Sequence, residues 1–173
     1  GAQVINDKRR NAIRKGFRAC EVFAVQSVDQ RWLDGAVRAW NDLVDRTGWK
    51  HHRDAKMLRE SWERLLRQPA ATILLAIDCA TGGVAGFLIT KVYGRTAYVD
   101  TIASNTELLK SNPNDVLMYA FIRNAQRIPG VELLHFAIKS TFEQLERFKT
   151  SIGCVPYPYP AMLHTRPGMM MAL

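Results

Sequence analysis

The sequence predicts an α/β domain with a mixed, mainly antiparallel sheet flanked by helices, and three observations predict it. Before Pro69 the apolar residues recur at helical spacing. After it they form β-rich runs separated by short glycine turns. Further on, one helix lies between two apolar strands, at a length that suits a right-handed crossover. At 173 residues the chain is long enough to bury a core without disulfide or metal staples, and too short for two full domains. We therefore expect one domain over 1–173, helical over about 7–68 and sheet-forming over about 71–165.

The first helix is expected from Asp7 to Ala19, with Asn6 as N-cap and Ile5, Ala12, Ile13, Phe17 and Cys20 near one face. Glu21 to Val25 reads as a short strand. The stripe Trp32, Leu33, Ala36, Val37, Trp40, Leu43, Val44 marks an amphipathic helix that ends at Gly48. A third helix runs from about Arg53 to Arg67, with Met57, Leu58, Trp62, Leu65 and Leu66 inward and Pro69 beyond it. Three strands follow, Ala71 to Asp78, Val84 to Tyr93 and Thr96 to Ser104, joined at Gly82-Gly83 and at a two-residue Gly94-Arg95 hairpin loop.

Asn112-Pro113-Asn114-Asp115 starts a helix, with Asn112 as cap, proline first and an acid in the first turn; it carries Val116, Leu117, Ala120, Phe121, Ala125 and Ile128 and stops at Pro129-Gly130. Leu133 to Ile138, apolar except for His135, reads as a strand buried on both faces, as parallel strands are. A last helix from about Thr141 turns Phe142, Leu145, Phe148 and Ile152 inward, and the proline-broken stretch Cys154 to His164 is at best an edge strand.

Composition narrows the function classes. The longest apolar runs, Ile73 to Ile77 and Val116 to Ile122, fall far short of the roughly 20 residues of a membrane span, so no such span is expected. Cys20, Cys79 and Cys154 are odd in number and widely spaced, which suits a reducing, cytoplasmic setting. Adjacent His51 and His52 diverge by about 100° on a helix and face opposite ways on a strand, so no metal site is expected. No P-loop, Rossmann fingerprint or Ser-His-Asp context appears. The opening Gly1-Ala2, without methionine, suggests an excised fragment or a tag scar.

The net charge of +8 favours an anionic partner. Residues 1–20 hold Lys8, Arg9, Arg10, Arg14, Lys15 and Arg18 against Asp7 alone, and a second run comprises Lys50, Arg53, Lys56, Arg59, Arg64 and Arg67. Such runs are most often solvated helix faces; the sharper reading is a surface for tRNA, nucleotide or an acidic precursor.

The element order resembles that of the GNAT acyltransferase superfamily. Lys8-Arg9-Arg10-Asn11-Ala12-Ile13-Arg14-Lys15-Gly16 is similar to the basic opening of its FemAB-like branch. Asn112-Pro113-Asn114-Asp115-Val116-Leu117, Phe136-Ala137-Ile138-Lys139-Ser140 and Leu145-Glu146-Arg147-Phe148-Lys149 before Gly153 resemble that branch's ending. The resemblance implies a GNAT-like fold, a place as the C-terminal GNAT half of a tandem, and transfer of an acyl or aminoacyl group from acyl-CoA (acetyl-CoA) or aminoacyl-tRNA to a small-molecule or peptide amine. The tRNA would lie on the basic N-terminal helix, and a homo-oligomer is compatible with the family. One departure is clear: the phosphate-binding loop of acyl-CoA-dependent relatives is rich in glycine, whereas Asn105 to Asn114 has none and Asp115 follows. That departure favours an alternative, a non-catalytic degenerate half-domain used for binding or dimerisation; a further alternative, carried by the charge of the N-terminal helix, is a basic nucleic-acid-binding module.

Acyl transfer to an amine needs a group to hold or deprotonate the amine, a donor to the developing oxyanion and a slot that aligns both. Asp100 is the first candidate, because aspartate is disfavoured in mid-strand; strict alternation puts it in a polar row with Tyr98 and Ser104, unless that face is simply wet. Ser140, at the carboxyl end of an expected parallel strand, is a candidate for oxyanion support or an N-cap with Glu143. Lys110, Ser111, Asn112, Asn114 and Lys149 are candidates for contact with donor phosphates, Lys149 being equally a solvated partner of Glu146. Tyr157, with Tyr159 nearby, is the candidate proton donor to a leaving thiolate that the resemblance implies, or part of a structural edge. His135 reads more readily as a hydrogen-bonded core residue than as a base.

Overall fold

The computed structural model describes residues 5–137, 142–156 and 158. Helix α1 (Asp7–Ala19) leads into strand β1 (Cys20–Ala24), followed by α2 (Gln30–Thr47) and α3 (Ala55–Leu66). Strands β2 (Ala71–Asp78), β3 (Val84–Tyr93) and β4 (Thr96–Ser104) come next, then a 3-10 helix (Thr106–Ser111), α4 (Pro113–Ala125), β5 (Leu133–Phe136) and α5 (Glu143–Ser151). The five strands form one sheet in chain order, antiparallel from β1 to β4 and parallel between β4 and β5. The expected mixed, mainly antiparallel sheet flanked by helices is the architecture observed.

Local chemistry sets the helix ends. Asn6, Asp29 and Asp54 each accept a backbone N–H from the first turn of α1, α2 and α3. Gly48 closes α2 in the left-handed conformation (φ 71°), where a side chain would be strained, and Gly94 does the same in the β3–β4 hairpin.

Two cores sandwich the sheet. On one face Ile73, Leu75 and Ile77 of β2 and Phe87 and Ile89 of β3 meet Leu33, Trp40, Val44, Leu58 and Trp62 of α2 and α3. On the other, Leu74, Ala76, Leu88 and Val99 meet Val116, Leu117 and Phe121 of α4. Each large apolar side chain buried in this way contributes about 1.5–3 kcal/mol. Helix α1 packs on α4 at close range: a Cβ on Gly16 would stand 2.4 Å from Val116 Cγ1 and 3.1 Å from the Asn112 carbonyl.

Several expectations are corrected. The strand expected over Leu133 to Ile138 and buried on both faces is the four-residue edge strand β5, with Leu133 62% and Leu134 45% exposed, because among the described residues only β4 pairs with it. Phe17 and Met57, read as inward, are exposed on their helices, and Ile128 and Phe142 are exposed because they lie beyond the helix ends: α4 stops at Ala125, short of the expected Pro129-Gly130, and α5 begins after Phe142. Asn112 sits at the N-cap position but makes no side-chain cap; its own backbone turns left-handed (φ 55°) to join the 3-10 helix to α4. Helix α5 starts at Glu143 with Phe142 at the cap position, so Glu143 is not three residues into a box begun by Ser140. Ser140, Tyr157, Tyr159 and the rest of the expected terminal strand beyond residue 158 lie outside the described residues.

Candidate active site

The site begins with a miscount between two strands. Ile89 of β3 pairs with Thr101 of β4 while its neighbour Thr90 pairs with Val99, which leaves Asp100 as an extra, unpaired residue. A bulge of this kind bends a strand and re-aims its side chains. It also shifts the alternation: Ala97 and Val99 before it, and Ile102 after it, all contribute to the α4 core, whereas Ala103 packs toward α2 and α3. The expected single row of Tyr98, Asp100 and Ser104 is therefore broken, with Ser104 on the opposite face from Tyr98.

The same position ends the pairing with β5. The β4–β5 ladder runs from Thr96↔Leu133 to Val99↔Phe136 and stops, so among the described residues β4 has no strand partner on that edge from Asp100 onward. Because the two strands are parallel, this opening lies at their carboxyl ends, the place where open α/β sheets bind ligands. Asp100 is exposed there; its carboxylate takes the Lys91 ammonium at 2.7 Å and the Thr101 hydroxyl at 3.4 Å. Beside it Tyr98 lies between the rings of Tyr93 (6.0 Å) and His135 (5.2 Å). Lys91, Tyr93 and half-buried His135 thus join Asp100 and Tyr98 on one exposed strip of sheet. Lys91 was readable in advance, since the Tyr93↔Thr96 hairpin fixes Lys91 opposite Tyr98.

The segment that leaves β4 is fastened on two sides. Arg46 donates to the Ser104 carbonyl (3.1 Å) and to the Thr106 hydroxyl (2.6 Å), and Asp42 accepts the Thr106 amide (2.6 Å). On the other side Ser111 is buried and donates its hydroxyl to Asp78. That bond, with those from the Thr81 hydroxyl and amide and the Ala80 amide, holds the buried Asp78 carboxyl below the usual carboxylate range. Lys110 is exposed at the end of the 3-10 helix, and Asn112 Nδ2 returns to the Lys110 carbonyl at 3.3 Å. Asn114 Oδ1 is buried with no hydrogen-bond partner among the described residues.

At the start of α4 the acid has its own counter-charge. Asp115 is buried and accepts from Arg9 of α1 at 2.6 Å, while the Arg9 guanidinium also covers the Phe148 ring at 4.8 Å. Burial pushes the Asp115 carboxyl up, and Arg9 opposes that shift. Lys149 is buried rather than solvated; its ammonium pairs with Glu146 at 2.7 Å and lies 5.7 Å from the Phe136 ring. Sequence reading missed Arg9 as the partner of Asp115, a contact across 106 positions. Among the described residues no group of three or more His, Cys, Asp or Glu side chains could hold a metal ion.

Residues 7–150 match the family model described as an acetyltransferase (GNAT) domain. The chain belongs to the GNAT acetyltransferase family. As a GNAT member it is an acyltransferase, and its sheet follows the same plan as solved structures of low sequence identity. A possible acetyltransferase from Clostridium difficile 630 superposes with a TM-score of 0.69 at 10% identity, covering 86% of this chain and 98% of that one. An aminoglycoside acetyltransferase from an uncultured soil metagenomic sample, in complex with sisomicin, gives 0.65 at 13%, over 87% and 97%. AAC(6')-Iy, in complex with the bisubstrate analogue CoA-S-monomethyl-acetylneamine, gives 0.64 at 14%, over 85% and 98%. No curated protein matches the chain. Among the described residues no helix of this GNAT protein is long and apolar enough to cross a membrane.

Proposed function

We propose that this GNAT protein is an N-acyltransferase that joins an acyl or aminoacyl group to an amine in the opening between β4 and β5. The observation that carries the reading is the coincidence, at one residue, of the bulge that presents Asp100 and the end of the β5 pairing. A strand edge left unpaired offers backbone N–H and C=O groups to an amide-bearing arm, which suits CoA. The Asp115 charge, offset by Arg9, leaves the α4 start compatible with an anionic donor. The relatives solved with sisomicin and with a CoA-linked acetylneamine support an amine acceptor and a CoA donor.

When bound, acyl-CoA would supply an activated thioester carbonyl. Asp100, steadied by Lys91, would hold the acceptor ammonium and take its proton. The amine nitrogen then forms the new C–N bond as the C–S bond breaks, and the sulfur receives a proton. Ser140 is proposed to support the oxyanion and Tyr157 to protonate the leaving sulfur. Lys110, Asn112 and Asn114 are proposed to contact donor phosphates, with Ser111 and Lys149 holding the walls of that site through Asp78 and Glu146. The FemAB-like branch, and with it an aminoacyl-tRNA donor, rests on the basic opening that forms α1.

Thiol release from acetyl-CoA and longer acyl-CoAs over a panel of amines tests this reading. Asp100→Asn should lower kcat by about a hundredfold or more with the melting temperature unchanged; full activity in the variant sinks the role of Asp100. A thermal shift that saturates with CoA at low and high salt supports an acyl-CoA donor. A shift that salt removes, or none, supports the aminoacyl-tRNA donor instead.

A further inference from the structure

Helix α1 carries two parallel rows at four-residue spacing. Ile13 and Phe17 form the first, with Ile5 just ahead of the helix and Arg9, one turn before Ile13, turned aside to Asp115; Arg10, Arg14 and Arg18 form the second. With Tyr119 of α4 these rows enclose an open groove of about 590 Å³. Its floor is apolar: Ile13 is buried, and Phe17, 46% exposed, stands edge-on to Tyr119 at 5.6 Å. Its rim is cationic. Arg10 pairs with exposed Asp7, while Arg14 and Arg18 have no carboxylate partner among the described residues. The groove shares no residue with the strip around Asp100.

We infer that this groove docks an acidic amphipathic helix of a partner protein. Residues four apart on a helix are separated by about 6 Å along its axis, so the three guanidiniums repeat at the spacing of carboxylates four apart on a facing helix. Arginine forks match carboxylates in pairs of hydrogen bonds, and the Asp7–Arg10 pair shows one carboxylate already taken on this face. The adjoining apolar row accepts the partner's apolar side chains, the arrangement of a helix laid in a groove. A sugar–phosphate backbone would satisfy the arginines but leave Ile5, Ile13 and Phe17 without an apolar counterpart, which favours a peptide over RNA.

The test uses the full chain and short fluorescent helical peptides, read by anisotropy at physiological salt. One peptide carries leucine every fourth residue with glutamate beside each. A twin replaces glutamate by lysine, and a second twin replaces leucine by serine. Saturable binding of the first is expected, with loss in the lysine twin and about tenfold weakening in the serine twin. Arg14→Glu and Phe17→Ser, both at exposed positions, should each weaken binding about tenfold, and Arg127→Glu, outside the groove, should not. Absence of saturable binding overturns the proposal. So does tighter binding of an oligouridylate, or of phosphatidylglycerol vesicles, that Arg14→Glu abolishes and Phe17→Ser leaves intact.

Discussion

The two ends of the sheet are built differently. From β1 to β3 the strands carry helices on both faces, and β2 is buried from Ile73 to Asp78. From the middle of β4 onward the outer edge has no strand partner among the described residues, and this end of the sheet is edged with exposed ion pairs such as Lys91–Asp100 and Arg95–Glu132. The packed end fixes the frame, and the open end, relieved of that duty, can present polar side chains in positions a core would reject.

Substitutions at matched positions break or sharpen this contrast. Trp62→Ala, at the packed end, removes a fully buried ring that meets Phe87 at 5.3 Å and should cost about 3–5 kcal/mol by denaturant unfolding. A loss below about 1 kcal/mol would show that the packed end is not what holds the frame. Gly16→Ala should cost about 1–3 kcal/mol through the contact with Val116, although alanine is the better helix former by about 1 kcal/mol. A stabilised variant would mean that α1 can lift from α4.

Ser111→Ala should cost about 1.5 kcal/mol at neutral pH, because Asp78 loses its strongest hydrogen bond. The sign follows from the lowered Asp78 carboxyl. Its stabilisation is complete above the ordinary carboxylate range and is lost as pH falls through the lower, folded-state value. The wild type and the variant should therefore converge in stability as acid protonates Asp78; a gap that persists in strong acid would assign the loss to packing. Smallest of all, Leu133→Ala at the open edge should change stability by no more than about 0.5 kcal/mol, despite removing an apolar side chain from a strand.

The packed end was also the more legible. Helix caps at Asn6 and Gly48, the Gly94-Arg95 turn and the ends of β2, β3 and β4 all follow from residues close together in sequence. The open end depends on contacts between distant residues. Asp100 reads as one more step of an alternating strand until its pairing with β3 shows that it has been skipped. Leu133 and Leu134 have the composition of a buried strand, and only the absence of a further neighbour beside β5 among the described residues leaves them in water. Ser111 looks available to a phosphate because nothing nearby announces Asp78, 33 positions earlier, as its partner. Lys91 is the exception, since counting back from the hairpin places it beside Asp100's strand.

The bulge also gives β4 one residue that its pairing does not need. Up to Val99 the odd-numbered residues look toward α4, and by Ile102 the even-numbered ones do. Deleting Asp100 would restore a regular strand with Val99 and Ile102 still toward α4 and Ala103 still toward α2 and α3, so the layers would be kept and only the carboxylate lost, whereas deleting a paired residue would turn one side of the cut to the wrong layer. In the course of sequence divergence the sheet could therefore shed this one residue without repacking, so keeping it answers to what its side chain does and not to how the layers pack.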